Sequence, residues 1–226
     1  MEINADFSQA VFARTDTMDW VPSPMPGVDR RMLDRIGDEV ARATSIVRYA
    51  KDSAFPEHTH GGGEEFIVLD GVFQDEHGDY PAGTYVRNPV GTHHIPRSDP
   101  GCTIFVKLWQ FDPEDQEQIA IDLKTLHTKP DPSRPGVFQA NLAQRNYETV
   151  VVEQWDAGVA GELGDPGGVE ALILAGTLER GDERLGRHDW LRLPAGGSAR
   201  LAAGKDGARL WIKRGHLINI TAPQAA

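Results

Sequence analysis

A single cysteine, Cys102, stands in a chain of 226 residues. An internal disulfide is therefore excluded, and a reducing, cytoplasmic setting is expected. Basic residues are in the minority: 23 lysines and arginines face 34 aspartates and glutamates, for a formal net charge of −11. Sequence-independent binding to nucleic acid or to an anionic membrane needs a positive patch, so neither is expected. No apolar run approaches the ~18 residues of a membrane span. The opening MEINADFSQA has acids where a signal peptide needs a basic stretch and then an apolar one. Turn formers, by contrast, are plentiful. Fifteen prolines and 24 glycines, with 39% hydrophobic residues, suit many short strands joined by turns.

The chemistry concentrates in His58-Thr-His60-Gly-Gly-Gly-Glu64-Glu65-Phe-Ile-Val-Leu-Asp-Gly71. Side chains alternate along a strand, so two histidines two apart share a face. Three glycines allow a tight reversal, and EEFIVLD is rich in residues that favour strands. Strand, turn and strand thus bring two imidazoles and a carboxylate to one side of a sheet. A third imidazole arrives in the stretch Gly83 to His94. Three histidines and one carboxylate are a donor set for a divalent transition metal. The bland alternative is a polar interior with no ion, but buried polar clusters need partners.

These two stretches resemble the two cupin motifs. His58, His60, Glu64 and Gly71 fill the first, and Gly83, Pro89, Gly91 and His94 fill the second. Ser98 stands where the pattern has asparagine. The wording around the motifs, over roughly residues 20 to 115, resembles the cupin domain of the ChrR anti-sigma factors. The resemblance implies one divalent metal held by His58, His60, Glu64 and His94. Zinc is the expected ion, with iron, nickel and manganese as alternatives. It further implies a sensing or regulatory module of an oxidative-stress response, with a small molecule or reactive oxygen species as the ligand. Nothing before residue 20 supplies the cysteine-and-histidine motif of the ChrR anti-sigma domain, so a sigma-factor partner by that mode is not expected. The ligand set is also similar to that of diketone-cleaving cupins, which makes a metal-dependent dioxygenase acting on a small diketone-like molecule the second reading. Cupins often pair, so a homodimer fits. No catalytic residue is assigned.

The second half repeats the first. Gly176 follows Gly71 by 105 residues, and at that offset GVEALILAG lies over EEFIVLDG, ETVVVEQW over ATSIVRYA, and WLRLPAG over YVRNPVG. ARLWIKRG falls near CTIFVKLW, with Lys213 over Lys107. Aligned landmarks in one register argue for two copies of one β unit. The expected fold is all-β, two tandem jelly-roll barrels, with residues 1–120 as the metal-binding domain and 121–226 as a degenerate, metal-free one. In the second copy Leu163, Asp165, Val169 and Ala199 replace the four ligands. KPDPSRPG (129–136) is the expected linker. Residues 28–36 are ambiguous between helix and strand, and strand is preferred.

Three residues are expected to support the ligands. His93 precedes a ligand and is a rim residue or a proton carrier. Glu65 should face away from Glu64 as an outer-face or rim charge, with ligation in place of Glu64 as the alternative. Lys107 lies within a strand pattern and is either solvated or an inward anchor for an anion. Cys102 reads as a small core residue.

Overall fold

Runs of alternating apolar and β-branched residues become strands throughout, and among the described residues the one helical element is a single 3-10 turn, Thr15–Thr17. The structure, a computed structural model, describes residues 1–38, 40–218, 220 and 222–223. None of its helices is long and apolar enough to cross a membrane. The sheets form a jelly-roll-like fold.

The chain divides into two compact units. One gathers Met1–Ala5 and Asp19–Leu126, the other Asp6–Met18 and His127–Ile220. In the first, antiparallel strands run in the order Val28–Gly37, Ala41–Tyr49, Cys102–Leu108, Glu64–Asp75, Thr84–Asn88 and Ile119–Asp122. The inward side chains Val28, Val47, Phe66, Val68, Phe73, Val86, Cys102, Ile104 and Val106 form its core. Cys102 is thus the small core residue expected of it, 4% exposed.

The ambiguous stretch is a strand, Val28–Gly37, and its helix-like apolar spacing has a physical cause. Met32 pairs with Ser45 and Asp34 with Thr44, so Leu33 is an extra residue, a bulge. The alternation changes sides there, which mimics a longer period.

In the second unit the order is Val137–Gln144, Thr149–Trp155, Ser198–Arg214, Val169–Arg180, Trp190–Leu193 and Val11–Ala13. The amino-terminal Val11–Ala13 thus pairs with Trp190–Leu193 rather than with the residues that follow it in sequence. The 129–136 stretch is not a bare linker but a structured hairpin within this unit. Lys129 pairs with Gln139 and Pro130 with Phe138, the Asp131 carboxylate accepts the Ser133 N–H at 2.8 Å, and Arg134 reaches Glu153.

The repeat in the sequence is a repeat in register. His58 faces His94 across one ladder, and Leu163 faces Ala199 across the matching one. Glu64 faces Asn88, and Val169 faces Leu193. Gly71 and Gly176 both have positive φ, at 71° and 73°, and a Cβ added at either would lie 2.0 Å from a carbonyl oxygen, that of Gly101 or of Gly207. Such a backbone position suits glycine alone.

Candidate metal centre

The site starts from local structure. His58 lies on the two-residue strand His58–Thr59, paired with His93–His94. His60 follows, its backbone pinned by N–H to the Thr92 carbonyl at 2.8 Å and by its own carbonyl to the Gly91 N–H at 3.0 Å. The three glycines do more than turn the chain. A Cβ at Gly61 or Gly62 would lie within 2.9 Å of the Trp109 ring, and one at Gly63 within 2.5 Å of the Phe111 ring. Their bareness lets two aromatic rings pack on the backbone that delivers Glu64.

The four predicted ligands converge. One donor atom from each of His58, His60, Glu64 and His94 lies within 4.8 Å of the others. His60 Nε2 is 3.2 Å from His94 Nε2 and 3.4 Å from Glu64 Oε2, and His94 Nε2 is 3.7 Å from the same oxygen. The His58 ring centre is 5.2 Å from that of His60 and 4.8 Å from that of His94. His60, Glu64 and His94 are buried, and His58 is exposed.

The surrounding hydrogen bonds decide which ring nitrogens carry protons. The Thr92 hydroxyl donates to the Pro89 carbonyl at 2.7 Å, so toward His60 Nδ1, 2.9 Å away, it must accept. His60 Nδ1 is then protonated and Nε2 holds a lone pair. The Asp75 carboxylate accepts from His94 Nδ1 at 3.3 Å, and the Pro56 carbonyl accepts from His58 Nδ1 at 3.4 Å. His60 and His94 thus turn their Nε2 atoms toward Glu64, and in the neutral rings the Nδ1 partners leave those Nε2 atoms as lone-pair donors. Glu64 is steadied by Asn88 Nδ2 at 3.2 Å, and Asn88 by Gln118 Nε2 at 3.0 Å. A cation placed between such lone pairs and a carboxylate would be bound by all of them. The donor set and its outer partners fit a divalent metal ion.

Electrostatics follow the same contacts. Burial holds the His60 pKa below its ordinary value, against the pull of Glu64. Burial also pushes His94 down, but the Asp75 hydrogen bond and the Glu64 charge outweigh it and leave His94 raised. Asp75, raised by burial, is lowered overall by its bonds to His94 and the His77 N–H.

The expected supporting residues divide. His93 is exposed, with Nε2 3.8 Å from Glu57, as a rim residue would be. Glu65 is not a rim charge. It is 1% exposed, and it accepts from the Tyr85 hydroxyl at 2.5 Å and from Arg87 at 3.4 Å, while Arg87 also binds Asp115 at 2.7 Å. Lys107 is fully buried and donates to Thr44 at 2.8 Å. Lys107, Glu65 and Arg87 are cross-strand neighbours, on the face opposite Glu64 and Phe66, so none of them lines the metal cavity. Asp75, Thr92 and Asn88, which do support the ligands, were not singled out from sequence. Ser98, in place of the motif's asparagine, donates to the Val72 carbonyl at 2.6 Å and takes no part in the cluster.

A cavity of about 420 Å³ lies over the cluster. His58, His60 and Glu64 line it, with Tyr49, Phe55, Leu108 and Trp109 among its walls. It falls toward the small end of the ~300–1,000 Å³ typical of small-molecule pockets. In the second unit the matching positions are filled with hydrocarbon. Leu163 and Val169 are fully buried in its core and Ala199 packs against it, while Asp165 is spent on a turn, accepting the Gly167 N–H at 2.8 Å.

Known proteins resemble this chain in part of its sequence and in its fold. Residues 8–112 match the ChrR cupin-like domain. No curated protein matches the sequence. Among solved structures, a provisionally assigned dioxygenase from Nostoc punctiforme superposes with a TM-score of 0.77 at 17% identity, covering 97% of this chain and 87% of that one. The pirin YhhW from Escherichia coli, in complex with nickel(II), gives 0.61 at 12%, covering 92% and 99%. Oxalate decarboxylase from Lactobacillus farciminis, as its formate complex, gives 0.60 at 10%, covering 92% and 86%. The family match thus covers residues 8–112, and over nearly the whole chain the solved structures share its fold.

Proposed function

We propose that this chain is a bicupin whose amino-terminal unit holds one divalent metal ion through His58, His60, Glu64 and His94, and that the site acts on a small carbonyl compound as a metal-dependent dioxygenase or related oxidoreductase. The observation that carries the reading is the convergence of one donor atom each from His58, His60 and His94 with the buried Glu64 carboxylate, all within 4.8 Å of one another. Such an ion, when bound, supplies Lewis acidity toward a carbonyl or enolate oxygen and, if redox-active, reactivity with dioxygen. The chain's own residues do the rest. Thr92, Asp75 and the Pro56 carbonyl hold the imidazoles in one tautomer, Asn88 orients Glu64, and the apolar walls exclude water from the reacting group. The second unit is metal-free in this reading, supported by the hydrocarbon at its ligand positions.

A second reading rests on the match of residues 8–112 to the ChrR cupin-like domain. The same site then serves as a zinc-bound sensor of an oxidative signal, with no turnover. Elemental analysis of the purified protein, followed by oxygen uptake with β-diketones, separates the two. Iron at one equivalent with uptake supports the enzyme. Zinc with no uptake supports the sensor. Protein that takes up no divalent metal sinks both.

A further inference from the structure

The metal cavity has one charged feature that the ligand set does not use. Arg30 lies on the strand Val28–Gly37 and pairs with Val47. Cross-strand partners project to the same face, and Val47 belongs to the apolar core and to the cavity wall. Arg30 therefore points inward, and it lines the cavity together with His58, His60 and Glu64. Its Nε is shielded from solvent and makes no hydrogen bond. Among the described residues no carboxylate pairs with its guanidinium. Two other arginines nearby are engaged on the opposite face. Arg31 and Arg48 each stack on Trp20, at 4.2 and 4.4 Å, and Arg48 binds Asp29 at 2.7 Å.

A permanently charged guanidinium, partly desolvated and without a counter-charge, is costly unless a ligand supplies one. Arg30 is the one Lys or Arg among the residues that line the cavity. A single planar fork matches a single carboxylate, whereas a phosphate dianion calls for more positive charge than this wall holds. Val28, Phe55, Leu108 and Trp109 give the cavity a largely hydrocarbon and aromatic wall, with the neutral Ser23 and Thr59 beside it. We infer that Arg30 anchors the carboxylate of a small, otherwise apolar monoanion, so that the substrate class of the site is a carbonyl compound bearing one carboxylate. The inference rests on the metal-site reading for its chemistry, but its binding step belongs to Arg30 alone.

The test titrates the metal-loaded protein with phenylacetate and with its neutral analogue phenylacetamide, following heat release and tryptophan fluorescence. The same samples are assayed for metal. Wild type is expected to bind phenylacetate at least about tenfold more tightly than the amide. Arg30→Met is expected to lose about 10- to 100-fold for phenylacetate and nothing for the amide, with metal content unchanged. Arg30→Lys should recover part of the loss, which a merely misfolded Met variant would not explain. Equal phenylacetate affinity in wild type and Arg30→Met overturns the inference, as does failure of wild type to prefer the acid. Protein that binds no metal yet still shows Arg30-dependent binding of phenylacetate overturns the metal reading and leaves this one standing.

Discussion

His94 donates its Nδ1 proton to Asp75 Oδ2 at 3.3 Å, while Asp75 Oδ1 accepts the backbone N–H groups of His77 and Gly78 at 2.8 and 3.2 Å. Both carboxylate oxygens are thus acceptors. An asparagine has one acceptor and one donor, so Asp75→Asn must oppose a donor either to the backbone N–H groups or to His94 Nδ1. The second arrangement forces the proton onto His94 Nε2 and removes a lone pair from the cluster. Asp75→Asn is expected to weaken metal affinity about 10- to 100-fold, measured by competition with a fluorescent chelator. An affinity within twofold of wild type would sink the tautomer argument.

Loss of a donor is more severe than loss of its support. His60→Ala or His94→Ala leaves three donors and a cavity beside them, and near-complete loss of bound metal is expected by mass spectrometry of the elements. His188→Ala and His216→Ala, in the second unit, should keep wild-type metal content. His216 there is occupied with Glu170, Nε2 to Oε1 at 3.1 Å. Metal that survives His94→Ala but not His216→Ala would place the ion in the wrong unit.

The four ligands were legible because strand alternation and a tight turn are local facts, and the motif spacing encodes both. The repeat was legible for the same reason: its landmarks sit at one offset, and the ladders keep that offset from His58–His94 to Leu163–Ala199. Asp75 was not legible. It reaches His94 only because the long strand Glu64–Asp75 ends beside it, a tertiary fact. The burial of Glu65 is not legible in strand alternation, which gives the face of a residue but not whether that face is wet. Tyr85 and Arg87, two apart and therefore on one face, were a signal that Glu65 has partners. The bulge at Leu33 hid a strand behind a helical spacing.

Gly71 tests the backbone that closes each unit. Its φ of 71° costs a non-glycine residue about 1–3 kcal/mol, and an added Cβ would lie 2.0 Å from the Gly101 carbonyl oxygen. Gly181 has a φ of 59° but open space around it. Both Gly71→Ala and Gly181→Ala should lower the melting temperature, with the loss at Gly71 at least twice that at Gly181, since only the first adds a clash with backbone. Equal losses, read by calorimetry, would show that conformation alone sets the cost.

Glu153 sets an acid limit on the second unit. It is fully buried and accepts from Arg134 at 2.8 Å, Arg214 at 2.8 Å and the Trp155 indole at 2.8 Å. Burial raises its pKa, but Arg134, Arg214 and Trp155 outweigh burial and leave it lowered. A carboxylate with a lowered folded pKa stabilises above its unfolded value, and that stability drains away as pH falls through the folded value. Glu153→Gln removes the charge and leaves two guanidiniums without it. The expected loss at neutral pH is about 2–3 kcal/mol, short of the ~3–5 kcal/mol for a wholly buried pair because both arginines keep contact with water. The difference between wild type and variant should shrink as pH is lowered into the acid range, where wild-type Glu153 itself becomes protonated. Denaturant melts across that range check the sign, and a difference that widens toward acid would reverse the assignment.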